Sequence, residues 1–181
     1  MREFIYPEMM VHVPVCTNKV PESVLIISDN ADLLSNEMLK HAEIGSRVIS
    51  CTMDALRDEA NNSADVVICE MKADAAVVAH ISRILKDDGQ LSITHDSLDE
   101  TQSNKVLMQA LGKYFKIIMP YNLGNGSTAL LASKEYHPTA DVILQRTDMI
   151  DGLNYYNCDM HIAAFAMPNY IRKEYLGIIK N

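Results

Sequence analysis

The stretch Val24-Leu25-Ile26-Ile27-Ser28-Asp29-Asn30-Ala31-Asp32 decides the fold. Its four consecutive apolar residues read as a strand covered on both faces, and the polar residues after them lead into a helical pattern that starts at Asp32. Further apolar runs of the same kind follow, each separated by a helical pattern, and that alternation is the mark of βαβ units around a largely parallel sheet. The expected fold is α/β, a Rossmann-like sheet of mostly parallel strands with helices on both faces. In such a sheet the first strand ends in glycines, because backbone must approach the ligand closely and the next helix turns its N-terminus toward it. Here Ser28, Asp29 and Asn30 stand in that turn without a glycine, so side chains occupy space a ligand would need. Two readings of the turn stay open. Either Asp29 or Asn30 caps the helix that follows, or Asp29 or Asp32 grips an amine or a ribose.

Outward from this stretch, strands are expected at residues 23–27, 47–51, 65–69, 90–94, 115–119 and 128–133. The first four are apolar enough to be covered on both faces. Interleaved helices are expected at 32–41, 54–60, 73–86 and 98–114. Asp87-Asp88-Gly89 reads as a helix stop and tight turn, with Gly89 in the left-handed conformation. Before the first strand, residues 3–12 read as a short helix broken or initiated by Pro7. The segment after Lys134 reads as irregular as far as Asn154, with short helical pieces at 159–166 and 169–176. No internal repeat or low-complexity segment is present.

At 181 residues and 48% hydrophobic content the chain is long enough for one sizeable core, and a single domain over 1–181 is expected. Lys and Arg number 16 against 24 Asp and Glu, a net charge of -8, which argues against nucleic acid and anionic membrane surfaces and favours a cationic small molecule. Cys16, Cys51, Cys69 and Cys158 form no CxxC pair and read as reduced, mostly buried thiols. With no leader pattern and no apolar run of membrane-spanning length, a cytoplasmic protein is expected.

A second group of polar residues follows the next two strands, in Cys51-Thr52-Met53-Asp54-Ala55 and Cys69-Glu70-Met71-Lys72-Ala73-Asp74. Carboxylates at the C-terminal ends of parallel strands border the crevice where open α/β sheets bind ligands, so Asp54, Glu70 and Asp74 are candidates to converge there. A carboxylate so placed accepts a proton from an attacking amine or holds an ammonium. The alternative reading makes Asp54 and Asp74 helix caps and Glu70 a solvated loop residue. No histidine pairs with Cys or a carboxylate at metal-ligand spacing, and neither a GxSxG elbow nor a P-loop is present, so no metal site, hydrolase or phosphotransferase is expected.

Three stretches together resemble the spermidine synthase (polyamine aminopropyltransferase) family. Tyr155-Tyr156-Asn157-Cys158-Asp159-Met160-His161-Ile162-Ala163-Ala164-Phe165-Ala166-Met167-Pro168 is similar to the family's YYN-x-x-x-H-x-A-A-F-x-[LM]-P, the most specific of the three. Glu3-Phe4-Ile5-Tyr6-Pro7-Glu8-Met9 resembles D-E-F-x-Y-[HQ]-E-M, and residues 24–41 keep the length and ending of V-L-I-I-G-G-G-D-G-G…K-H. Residues 124–134 resemble the stretch before the family's late A-S-K, so the likeness spans nearly the whole chain.

The resemblance implies an S-adenosylmethionine-methyltransferase-type sheet. It also implies transfer of an aminopropyl group from decarboxylated S-adenosylmethionine, as co-substrate, to putrescine, with no resident cofactor. The implied ligands are thus a polyamine and a nucleoside. Position by position it implies Glu70 as proton acceptor, Asp29, Asp54 and Ala55 on the nucleoside, and Tyr6, Tyr121 and Asp74 on the amine.

The sequence departs from the pattern on one side of the implied pocket. The family's glycines fall on Ser28, Asp29 and Asn30, its proton-acceptor aspartate on Glu70, and its second aspartate on Ala73. The strand and ribose-binding acid expected between His41 and Arg47 are missing, as is the loop that closes over the substrates, and the family's small N-terminal β-domain is not expected within residues 1–181. The apolar surface around Tyr6, Met9 and Met10 that this β-domain would cover makes a homodimer the expected assembly. The alternative to an active transferase is a catalytically impaired homologue acting as a binding or partner protein. Another S-adenosylmethionine-type enzyme, such as a methyltransferase, is a third reading, against which the C-terminal motif speaks.

Overall fold

The computed structural model describes residues 2–181. Its strands are β1 (Ser23–Ile27), β2 (Gly45–Ile49), β3 (Ala64–Cys69), β4 (Leu85–Thr94), β5 (Ile117–Asn122) and β6 (Thr128–Ser133). They form one six-stranded sheet in the order β2-β1-β3-β4-β6-β5. The first four strands are mutually parallel and β6 runs antiparallel between β4 and β5. The expected α/β sheet of mostly parallel strands is therefore the observed one.

Strand pleating explains why the apolar runs are continuous. Along β1, Leu25 and Ile27 enter one core while Val24 and Ile26 enter the other. The first core is closed by α3 (Met53–Asp58), α4 (Ala75–Ile84), α5 (Thr101–Leu111) and α8 (Asn169–Glu174). The second is closed by α1 (Ile5–Thr17), α2 (Asp32–Met38) and α7 (Cys158–Ala164). The remaining helix, α6 (Leu144–Asp148), packs on α1 and α7.

Several elements differ from the sequence expectation for identifiable reasons. Helix α1 runs on past residue 12 and through Pro14, although proline removes the bond to the Met10 carbonyl, because every residue from Pro7 to Thr17 is buried and tertiary packing outweighs local propensity. That burial is supplied within the chain: Met9 and Met10 are fully covered, which removes the argument for a dimer partner at this face. β2 starts and ends two residues early and is an edge strand with Val48 exposed, so it is not covered on both faces. Gly89 does not adopt a left-handed conformation. It belongs to β4, where the residues between the pairs Ala64↔Leu85 and Val66↔Gln90 bulge out, and a Cβ there would stand 2.9 Å from the Leu85 side chain. The stretch read as irregular after Lys134 contains α6.

Polar networks around Glu8, His12 and His161 tie the terminal segments to one another and α1 to α2. The Glu8 carboxylate, fully buried on α1, accepts hydrogen bonds from the backbone N–H groups of Asn154, Tyr155 and Tyr156 at 2.9, 2.8 and 2.8 Å. His12 donates from Nε2 to Glu37 at 2.6 Å, which leaves its Nδ1 to accept from His41 Nε2 at 2.9 Å. At the far end of the chain, His161 Nε2 donates to the Pro138 carbonyl at 2.8 Å, so its Nδ1 accepts from the Tyr156 hydroxyl at 2.7 Å.

Replacing Glu8 by alanine strands three backbone donors, that of Tyr156 fully buried and the other two partly so, and Glu8→Ala is expected to cost about 3 kcal/mol in urea denaturation. A loss under about 0.5 kcal/mol, the scale of an ordinary surface change, would refute that role. Burial also pushes His41 and His161 down to about 4. An unfolded imidazole takes up its proton near ~6.5, so between the two values the unfolded chain binds more protons than the folded one. Stability should therefore fall as pH drops from about 6.5 to about 4 and level off below, where both states are protonated. A urea midpoint that stays flat across this window would contradict the buried neutral imidazoles.

Candidate functional site

The chain leaves β1, builds β2 on one side of it, and then crosses to place β3 on the other side. That reversal makes the crevice beyond the C-terminal ends of β1 and β3 the topological switch point of the sheet, the place where open α/β sheets bind ligands. Ser28 follows β1 and Glu70 follows β3, so these two residues face each other across it.

Their side chains meet. The Ser28 hydroxyl donates to one oxygen of the Glu70 carboxylate, and the Tyr6 hydroxyl, at the start of α1, donates to the other at 2.5 Å. The Ser28 oxygen in turn accepts from the Asn30 backbone N–H at 3.0 Å. Burial, and then the Glu70 carboxylate itself, raise the Tyr6 phenol far above its ordinary value, so it acts here as a donor and not as a base. Cys69 lies one residue before Glu70, but full burial pushes its thiol up to about 12, which removes it as a nucleophile at neutral pH.

Beside this junction opens a cleft of about 680 Å³ whose walls include Glu70, Lys72, Asp74, His95, Asp96 and Glu100. Four carboxylates face one ammonium among these lining residues, a balance that favours a cationic ligand. Asp74 caps α4, its Oδ1 accepting from Ala76 and Val77 N–H at 2.9 Å each, so the capping alternative describes it while it also forms cleft wall. α4 begins at Ala75, directly after this cap, and leaves no room for a long closing loop.

The other sequence candidates are placed elsewhere. Asp29 neither caps α2 nor reaches into the cleft: its Oδ1 accepts from Cys51 N–H at 2.9 Å, tying the end of β1 to the end of β2. Asn30 does not cap α2 either, because Ala31 occupies the cap position without a side-chain bond. Thr52, not Asp54, caps α3 by accepting from Ala55 N–H at 3.2 Å. Asp54 pairs with Arg57 at 2.9 Å with 89% of its side chain exposed, and it does not converge with Glu70 and Asp74. Tyr121 is fully buried, its hydroxyl 2.7 Å from Ser92 in the core beneath α1. β2 itself begins at Gly45 and pairs directly with β1, so no additional strand is inserted between α2 and β2.

Sequence reasoning missed His95. It follows β4, donates from Nδ1 to Asn104 at 2.9 Å and accepts at Nε2 from Thr128 at 3.0 Å. Burial lowers its basicity, so it is a neutral, fixed wall of the cleft. The available signal was its place just past the C-terminal end of a parallel strand. Among the described residues no group of three or more His, Cys, Asp or Glu is arranged to hold a metal ion, and no helix is long and apolar enough to cross a membrane.

No family model matches the chain. It is 25% identical over 199 residues to the polyamine aminopropyltransferase of Helicobacter acinonychis, covering 93% of this chain and 76% of that one. It is 28% identical over 227 residues to the polyamine aminopropyltransferase of Thermotoga maritima, covering 98% and 76%. The chain is a divergent relative of the polyamine aminopropyltransferases. In fold it matches a spermidine synthase crystallised with the transition-state analogue AdoDATO, at a TM-score of 0.84 and 23% identity over 95% of this chain and 75% of that one. Against this aminopropyltransferase background the Ser28-Glu70-Tyr6 junction, on the rim of the acidic cleft, is the feature with chemistry to offer.

If Asp74 serves α4 as a cap, Asp74→Ala should lower stability by about 1 kcal/mol and Asp74→Asn by much less, since asparagine caps nearly as well. Equal losses for the two variants in thermal denaturation would mean that its charge, and not its capping oxygen, is what matters.

Proposed function

We propose that this chain is an aminopropyltransferase of divergent type, moving the aminopropyl group of decarboxylated S-adenosylmethionine onto a small cationic amine such as putrescine. The observation that carries this reading is the Glu70 carboxylate, held at the switch point by two hydroxyls on the wall of a cleft rich in acids. In this reaction the lone pair of the amine nitrogen attacks the propyl carbon bonded to the sulfonium. The carbon–sulfur bond breaks with its electrons going to sulfur, and methylthioadenosine leaves uncharged at sulfur. The attacking nitrogen is left with an extra proton, which passes to Glu70. Asp74, Asp96 and Glu100 hold the far ammonium, and their number sets a preference for a diamine over a monoamine. Asp29, at the joined ends of β1 and β2, is assigned to the nucleoside in this reading.

A second reading has its own observation. Ser28, Asp29 and Asn30 fill the turn where a close backbone approach to the nucleoside is needed, and Ser28 is itself bonded across the crevice. These contacts favour a homologue that binds an amine and has lost the transfer step.

Calorimetric titration with decarboxylated S-adenosylmethionine, methylthioadenosine and putrescine separates the two. The transferase reading expects all three to bind and turnover to give a longer polyamine, with Glu70→Gln lowering kcat at least about a hundredfold while nucleoside affinity stays within about twofold. Putrescine binding without nucleoside binding would leave only the second reading. Binding of none of them would sink both.

A further inference from the structure

Glu70 and Ser28 form a matched pair, and we infer that Ser28 is the positioning residue that aims the Glu70 carboxylate at the amine in the cleft. This inference rests on the proposed role of Glu70. Three observations lead to it. Ser28 is buried, with 4% of its surface exposed, so its hydroxyl has no water to satisfy it and must bond within the protein. Its oxygen accepts from the Asn30 N–H, which directs the hydroxyl proton away from the loop and toward Glu70. The Tyr6 hydroxyl holds the second carboxylate oxygen from the opposite side, at α1. The two donors come from the end of β1 and from α1, so the carboxylate is fixed in rotation about its last bond as well as in position, on the wall of the cleft it lines.

The pairing also explains why two residues differ together from the pattern the chain resembles. Glycine at position 28 would offer no hydroxyl, and an aspartate at position 70, one methylene shorter, would not span the crevice to reach it. A glutamate without Ser28 would keep one oxygen held by Tyr6 and let the other swing. Orientation of this kind governs how well a general base meets its proton, since reacting groups must come within hydrogen-bond reach in the productive complex.

The test compares the full-length chain with Ser28→Ala, Glu70→Gln and the double variant, using putrescine as the probe. Ser28→Ala is expected to lower kcat about tenfold with KM for putrescine changed less than about twofold, and to have no further effect once Glu70→Gln is present. Ser28→Ala turnover equal to that of the unaltered chain, or an equal loss in the Glu70→Gln background, would overturn the inference. Should the unaltered chain show no turnover, the proposed transfer reaction fails on its own and the pair is read from stability. Urea midpoints of Ser28→Ala, Glu70→Ala and their double variant are then expected to be non-additive, the double variant losing no more than the worse single one. Additive losses would mean that the two side chains do not act together, and the positioning role would be lost with them.

Discussion

The carboxylate of Glu8 is the contact on which the arrangement of the molecule turns. A fully buried anion is costly unless its lone pairs are met by donors, and here three consecutive backbone N–H groups, from Asn154 to Tyr156, meet them. The bond joins the first helix to a segment nearly the whole chain length away, and neither can shift without stranding the other. Two residues before Glu8 on the same helix stands Tyr6, whose hydroxyl reaches Glu70. The placement of a donor at the switch point is thus fixed by a contact on the far side of the same helix, which connects the stability of the terminal segments to the geometry of the candidate site.

Much of the architecture was legible because its signal is redundant. A parallel strand between two cores needs apolar side chains on both pleat faces, and Val24 to Ile27 and Val66 to Cys69 supply them without interruption. Edges and helix ends carry weaker signals. β2 looked like a buried strand because Val48 and Ile49 are adjacent, yet it is the sheet edge and leaves Val48 to solvent. Helix α1 looked short, broken or initiated by Pro7, and only the packing around it reveals why it continues through Pro14 to Thr17.

The candidate site was legible in part for a different reason. Which residues follow strands can be read from sequence, and Glu70 and Asp74 were found that way. Which way a side chain points after a strand ends depends on partners distant in sequence. Asp29 turns to Cys51, Asp54 to Arg57, and Tyr121 to Ser92 in the core, none of which spacing reveals. The Ser28–Glu70 bond joins positions 42 residues apart, and its two members looked like separate departures from a pattern until the sheet order brought them together.

The distribution of likeness along the chain follows from this division of labour. The C-terminal stretch that carries the most specific resemblance is a packing device: Tyr156 takes part in the Glu8 contact and bonds His161, and His161 closes on the Pro138 carbonyl. Each of these bonds is buried and mutually dependent, so a single replacement leaves an unpaired polar group, and the whole set is held together by the cost of breaking any part. In the turn at Ser28 to Asn30 only Ser28 is buried, while Asp29 and Asn30 are exposed, so a change at either of those two strands no buried side chain. The C-terminal stretch thus holds α1 and α7 together, while the chemistry must be read from the junction of Ser28, Glu70 and Tyr6 at the switch point of the sheet.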